Sequence, residues 1–216
     1  MVACECAPTI ITPKIISPDN YTNAQIINCI PDREILIIES DEIPLLKNAI
    51  YSNSNAGYQK INSGNSYLRL IDEKTKTSLI NMPVMLEKLE YYSIIFYGYK
   101  NSAKAIIVKD STIKEFTSGA LIRFVHTSFD SGEFIFKLSG STELQNTLNF
   151  RSITELSLIE SGEFKLELVN PISNEVIINN FITVENGKTY TIILKGTSIT
   201  IPEKPLFFDV IKSSFQ

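Results

Sequence analysis

The stretch ALIRFVHTSFD (residues 120 to 130) holds His126, the single histidine of a 216-residue chain. An imidazole that titrates near neutrality is the usual general base, proton shuttle or metal ligand. Each of those tasks needs partners, and the spacings that would supply them do not occur. There is no Gly-x-Ser-x-Gly elbow, no His-Glu-x-x-His, no Cys–His pairing and no Gly-rich phosphate loop. Paired carboxylates stand at Asp41-Glu42 and Asp72-Glu73, both in polar, turn-like contexts where solvated loop charge fits better than a tuned acid–base pair. The run ESDE (39 to 42) offers oxygens to calcium but lacks the regular spacing of a dedicated loop. The chain therefore reads as non-enzymatic, with no catalytic, cofactor-binding or metal-binding residue.

The three cysteines follow a different logic. Cys4 and Cys6 lie too close for a comfortable bridge, and no zinc-type ligand pairs accompany them. Cys29 reads as a small buried apolar residue. Cys4 closes the run Met-Val-Ala-Cys, which resembles the end of a bacterial lipobox, where small residues precede an acylated cysteine. A charged start and an apolar stretch are missing from the sequence as written. Residues 7 to 23, rich in Pro, Thr, Ser and Asn, suit a tether between an anchor and a domain. Cys4 is therefore expected to be the lipidation site of a bacterial envelope protein, held to the outer membrane or cell surface by acyl chains alone.

The wider composition excludes other classes. Twenty Lys and Arg are scattered singly against 24 Asp and Glu, so the chain carries no basic footprint for nucleic acid. No apolar run approaches the length of a membrane-spanning helix.

The elements that must position these residues come from an internal repeat. INSGNSYLRLID (61 to 72) lies over IESGEFKLELVN (159 to 170) at an offset of 98 residues, and residues 79 to 98 fall on 177 to 196 without a gap. Ile61, Ser63, Gly64, Leu68, Leu70, Ile80, Asn81, Tyr92, Ile94 and Gly98 all recur. A period this long is a duplicated domain. Each copy alternates as β-strands do: Phe164, Leu166 and Leu168 against Lys165 and Glu167, then Tyr190, Ile192 and Leu194. Ser161-Gly162 and Asn186-Gly187 are turn signals, the second suited to a tight hairpin. No sustained helical period is present. The expectation is all-β: a tether at 1–23, one antiparallel β-sandwich at 24–111 and a second at 112–216. Some seven strands are expected in each copy, with the apolar tail around Phe207 and Phe208 docked on the second.

Arg123, His126, Ser128 and Asp130, then Ser161-Gly162, then Gly187, Lys188, Tyr190 and Thr191 resemble the bacterial family known as domain of unknown function 4397. The first copy keeps Asn28, Pro31, Asp32, Ser63, Gly64 and Tyr92, but has Gln25 for the arginine and Leu89 for the glycine. The resemblance implies tandem immunoglobulin-like sandwiches on secreted or lipid-anchored envelope proteins, with no catalytic role. The departures bear on the first copy's turn geometry. In this register His126 aligns with Asn28, which shares its capacity to hydrogen-bond backbone but not its acid–base chemistry. His126 is thus expected to cap a strand end.

One strand is unusual. In YYSIIFYGY (91 to 99), Tyr92, Ile94 and Phe96 should face the core, leaving Tyr91, Tyr97 and Tyr99 where the second copy has Thr189, Lys195 and Thr197. Exposed tyrosines suit interfaces. The first functional expectation is a protein-interaction surface at the cell envelope. The alternative is a carbohydrate-binding module that stacks sugars on these three rings. Packing against the other domain would remove both uses.

Overall fold

The computed structural model describes residues 20–41, 43–52, 57–110 and 118–213, and of 43–48 the backbone alone. Cys4, Cys6, Glu42 and the tether up to residue 19 lie outside the described residues. The first copy contributes β1 (Tyr21–Cys29), β2 (Ile35–Ser40), β3 (Ile43–Ile50), β4 (Tyr58–Asn62), β5 (Gly64–Asp72), β6 (Ser78–Leu86), β7 (Tyr91–Tyr97) and β8 (Lys104–Lys109). The second contributes β9 (Ala120–His126), β10 (Phe134–Ser139), β11 (Glu143–Leu148), β12 (Ser157–Ile159), β13 (Gly162–Val169), β14 (Val176–Val184), β15 (Thr189–Lys195) and β16 (Phe207–Ser213). Among the described residues each copy thus has eight strands and neither has a helix. The apolar tail became β16, paired antiparallel with β15.

Four sheets result, ordered β3-β2-β5-β6, β4-β1-β7-β8, β12-β9-β15-β16 and β11-β10-β13-β14. The two copies share one topology strand for strand. Leu36, Ile38, Leu68, Leu70, Ile94 and Phe96 form the core of the first sandwich. Phe136, Leu138, Leu166, Leu168, Ile192 and Leu194 form that of the second. Burying each such side chain contributes about 1.5–3 kcal/mol, so the even face of each alternating strand drives its sandwich.

Two expectations need correction. The sheets are not wholly antiparallel: β1 runs parallel to β7, and β9 parallel to β15. These strands open and nearly close each copy, so their ends are free to align in the same direction. Asn186-Gly187 is also not a tight hairpin, because β14 and β15 belong to different sheets. It is a corner across the sandwich, fixed by Asn186 Oδ1 accepting from Gly119 N (2.8 Å) and Gly187 N donating to Gly119 O (2.8 Å).

The sandwiches meet through their β1- and β9-containing sheets. Ile27, Cys29, Ile95 and Tyr97 from the first pack with Val125, Ile193 and Ile211 from the second in a third apolar cluster. These are the outward positions of β1, β7, β9, β15 and β16, so the molecule is a stack of four sheets. Burial pushes the Cys29 thiol up to about 11, which suits an inert core residue.

Candidate ligand groove at the domain junction

The polar residues of the junction are arranged with approximate two-fold symmetry. Gln25 on β1 and Arg123 on β9 are equivalent by the 98-residue offset. Lys109 lies opposite Tyr92 and Lys212 opposite Tyr190, so the loop before β16 is longer than its counterpart and Asp110 corresponds to Ser213. Arg123 crosses the junction and forms an ion pair with Asp110 at 2.7 Å, both side chains 2% exposed. Its Nη2 donates to Ser93 Oγ (2.9 Å) and its Nε to Thr191 Oγ1 (2.9 Å). Asp110 Oδ2 also accepts from Ser93 Oγ (2.7 Å) and Tyr58 Oη (3.0 Å). The symmetric contact is neutral: Ser213 Oγ donates to Gln25 Oε1 at 2.9 Å.

Further along the strands the same symmetry relates Tyr97 to Lys195. Tyr97 is 7% exposed and sets its ring edge-on to Phe150 of the second sandwich at 5.7 Å. Lys195 is fully buried, pairs with Asp209 at 2.6 Å and donates to Tyr51 O of the first sandwich at 3.2 Å. Tyr99 stacks on Phe129 with centroids 4.5 Å apart. Of the three rings read as an open interaction surface, Tyr97 and Tyr99 are therefore engaged by the other sandwich. The outward face they occupy is the junction itself.

Tyr91 has a different position. It stands edge-on to Tyr58 at 5.0 Å, and both line a groove of about 590 Å³ where the first sandwich meets β16. Tyr21 supplies a third ring, with Lys60 Nζ 4.1 Å above it. Asn23, Gln25 and Ser213 add amide and hydroxyl groups, and Lys60 and Lys212 stand at the sides. Lys212 pairs with Glu185 at 2.7 Å. Burial, and then the Asp110 carboxylate, raise the Tyr58 phenol, so it stays neutral and acts as a donor. The groove opens where the shorter Gln25–Ser213 pair takes the place that Arg123–Asp110 fills in the other half.

Sequence reasoning missed Tyr21 and Tyr58. Tyr21 precedes the recognised repeat, and Tyr58 aligns at the 98-residue offset with Leu156, so neither recurs. The available signal was Tyr21, Asn23 and Gln25 alternating along one strand face.

His126 lies in the core edge, its ring 5.9 Å from both Phe134 and Phe136. Its Nε2 donates to Gly132 O at 3.0 Å. Asn28 Nδ2 donates to Arg33 O (2.8 Å) and Ala49 O (3.1 Å), while its Oδ1 accepts from Ile30 N (2.9 Å). Both side chains hold the loop that follows the opening strand, as expected for a strand-end cap. Asp130 and Asp32 are also equivalent. Asp130 accepts from the backbone N–H groups of Ser198, Ile199 and Thr200 (2.8–3.0 Å), and Asp32 from that of Lys100 at 3.3 Å. Partial burial works to raise the Asp130 carboxyl, and the three N–H donors outweigh it, holding the group below its usual range. Asp72 departs from the loop-charge reading. It is 5% exposed, pairs with Arg33 Nε at 2.8 Å and caps its turn through Lys74 N and Thr75 N.

No family model matches the chain, and no curated protein matches it. Among solved structures it is similar to the family 26 carbohydrate-binding module CBMbc from Eubacterium rectale Amy13K, in complex with maltoheptaose. That likeness has 11% identity, covers 90% of this chain and 98% of that chain, and has a TM-score of 0.28.

Proposed function

We propose that the chain is a non-catalytic binding protein and that the junction groove takes an oligosaccharide. A pyranose presents an apolar C–H face inside a rim of hydroxyls. Tyrosine rings match the face, and amides, which both donate and accept, match the rim. One observation carries the reading: Tyr21, Tyr58 and Tyr91 converge with Asn23, Gln25 and Ser213 on a single groove. This replaces two of the three rings first named, retains Tyr91, and adds Tyr21 and Tyr58.

The test is a glycan array followed by calorimetry on the whole chain. Tyr21→Ala and Tyr91→Ala should each weaken a positive sugar about tenfold. Tyr58 is unsuitable as a probe because it also holds Asp110. Failure to bind any glycan, or binding untouched by both substitutions, would overturn the reading.

For the address, we propose that Cys4 carries acyl chains at a bacterial envelope. The Val-Ala-Cys triplet, the Pro/Thr-rich tether and the family resemblance support it. Burying acyl CH₂ groups at about 0.8 kcal/mol each lets a multiply acylated cysteine hold a protein at a membrane without recourse to a spanning helix. Metabolic labelling with an alkyne fatty acid should mark the protein and be lost in Cys4→Ser. Unlabelled protein in the soluble fraction would remove the anchor.

A further inference from the structure

The outer sheets end on equivalent edge strands, β6 and β14, which treat the same hazard differently. An edge strand offers unpaired backbone N–H and C=O groups, and proteins block such edges with proline, charge or short length. β6 carries Pro83 in its interior, opposite Tyr67. The residue at that position in β14, by the 98-residue offset, is Phe181, and it is 78% exposed. β14 runs nine residues as VIINNFITV, with no proline and no charged side chain. Ile177 stands exposed on the same face as Phe181, and Ile172 is 93% exposed in the turn that leads into the strand. The blocked edge of the first copy is open in the second.

The composition of the strand indicates what covers it. Beyond the bulge at Ile177, β14 laid antiparallel on itself about Asn180 sets Ile178 against Ile182 and Asn180 against Asn180. On the outer face Asn179 meets Phe181. The two Phe181 rings become diagonal neighbours, about 7–8 Å apart at their backbones and within reach of one another. No charge meets a charge over the nine residues. We propose that the open edge of β14 pairs with β14 of a second copy of this chain, joining two outer sheets into one continuous eight-stranded sheet.

Sedimentation velocity of the full chain over a micromolar concentration series tests this. Wild-type protein should show a monomer–dimer equilibrium. Phe181→Pro imports the residue that the equivalent strand already tolerates and should raise the dimer dissociation constant at least tenfold with an unchanged circular dichroism spectrum. Phe181→Lys is the second probe should the proline variant fail to fold. Hydrogen exchange should show β14 amides gaining protection as concentration rises. A wild-type chain that stays monomeric throughout overturns the proposal, as would happen if an extended peptide of another protein were the true occupant. A dimer that survives a folded Phe181→Lys overturns it as well. Neither outcome bears on the sugar groove, whose variants lie on other strands.

Discussion

The junction joins the same two scaffolds twice, once through Arg123 and Asp110 and once through Gln25 and Ser213. The charged half fills its space and recruits Ser93, Thr191 and Tyr58 around a buried ion pair. The neutral half uses shorter side chains, and a groove opens beside it. The difference shows how a duplicated domain can divide labour across a symmetric interface. A buried ion pair adds little net stability over a neutral substitute, because desolvation offsets most of the attraction. Its loss from one side alone leaves a stranded charge. The charged half is therefore costly to alter one residue at a time, and the neutral half can line a site.

That contrast gives the largest expected effect. Arg123→Ala or Asp110→Ala alone should destabilise the protein by about 3–5 kcal/mol in urea titrations, since each strands its partner's charge in a dry interface. The double change Arg123→Gln with Asp110→Ser, which copies the neutral half, should recover most of that loss. If the double variant is as unstable as the singles, the two halves are not interchangeable and the symmetric account of the junction fails.

The parts of this molecule that were legible in its sequence are those that depend on short-range periodicity. The offset of 98 residues fixed equivalent strands, and the even positions Tyr92, Ile94 and Phe96 do face a core. Capping by Asn28 and His126 followed from what the two side chains share. The fate of the odd face did not follow, because a period of two separates faces without saying what covers each. A cue was present in β7, whose YYSIIFY is largely apolar on both faces, as strands buried on both sides are, whereas β5 and β13 alternate. Gln25, Arg123 and Lys195 masked the same burial in β1, β9 and β15. The corner at Asn186-Gly187 was misread because a local turn signal does not name the sheet its next strand will join. The groove drew on strands far apart in the chain, and its rings fall where the copies differ.

A smaller effect separates the two caps. Burial lowers the pKa of His126, with its hydrogen bond to Gly132 O working in the opposite direction. The unfolded chain therefore binds this proton more readily, so the stabilisation is complete above the unfolded value of about 6.5 and is lost as pH falls below it. Asn28 has no such titration. His126→Asn should remove the decline in thermal midpoint between neutrality and mildly acidic pH. Asp130, held below its usual range, acts only at lower pH, with stability present above about 3.9 and lost on further acidification. A midpoint that falls equally in wild type and His126→Asn over the upper window would place the acid sensitivity elsewhere.

The smallest effect concerns the corner where the first copy has lost its glycine. Leu89 holds φ at +61°, beside +69° for Gly187, and its N–H donates to Tyr21 O at 2.8 Å as that of Gly187 does to Gly119 O. The first copy thus keeps the left-handed corner with a residue poorly suited to it. A left-handed L-residue costs about 1–2 kcal/mol, while glycine brings an entropic cost of about 0.5–1 kcal/mol. Leu89 is 49% exposed, so its removal sacrifices little packing. Leu89→Gly should stabilise the protein by about 0.5–1 kcal/mol, read as a higher urea midpoint at unchanged m-value. The reverse change, Gly187→Leu, should cost a similar amount. A Leu89→Gly variant that is less stable than wild type would mean that the exposed leucine makes contacts worth more than its strain.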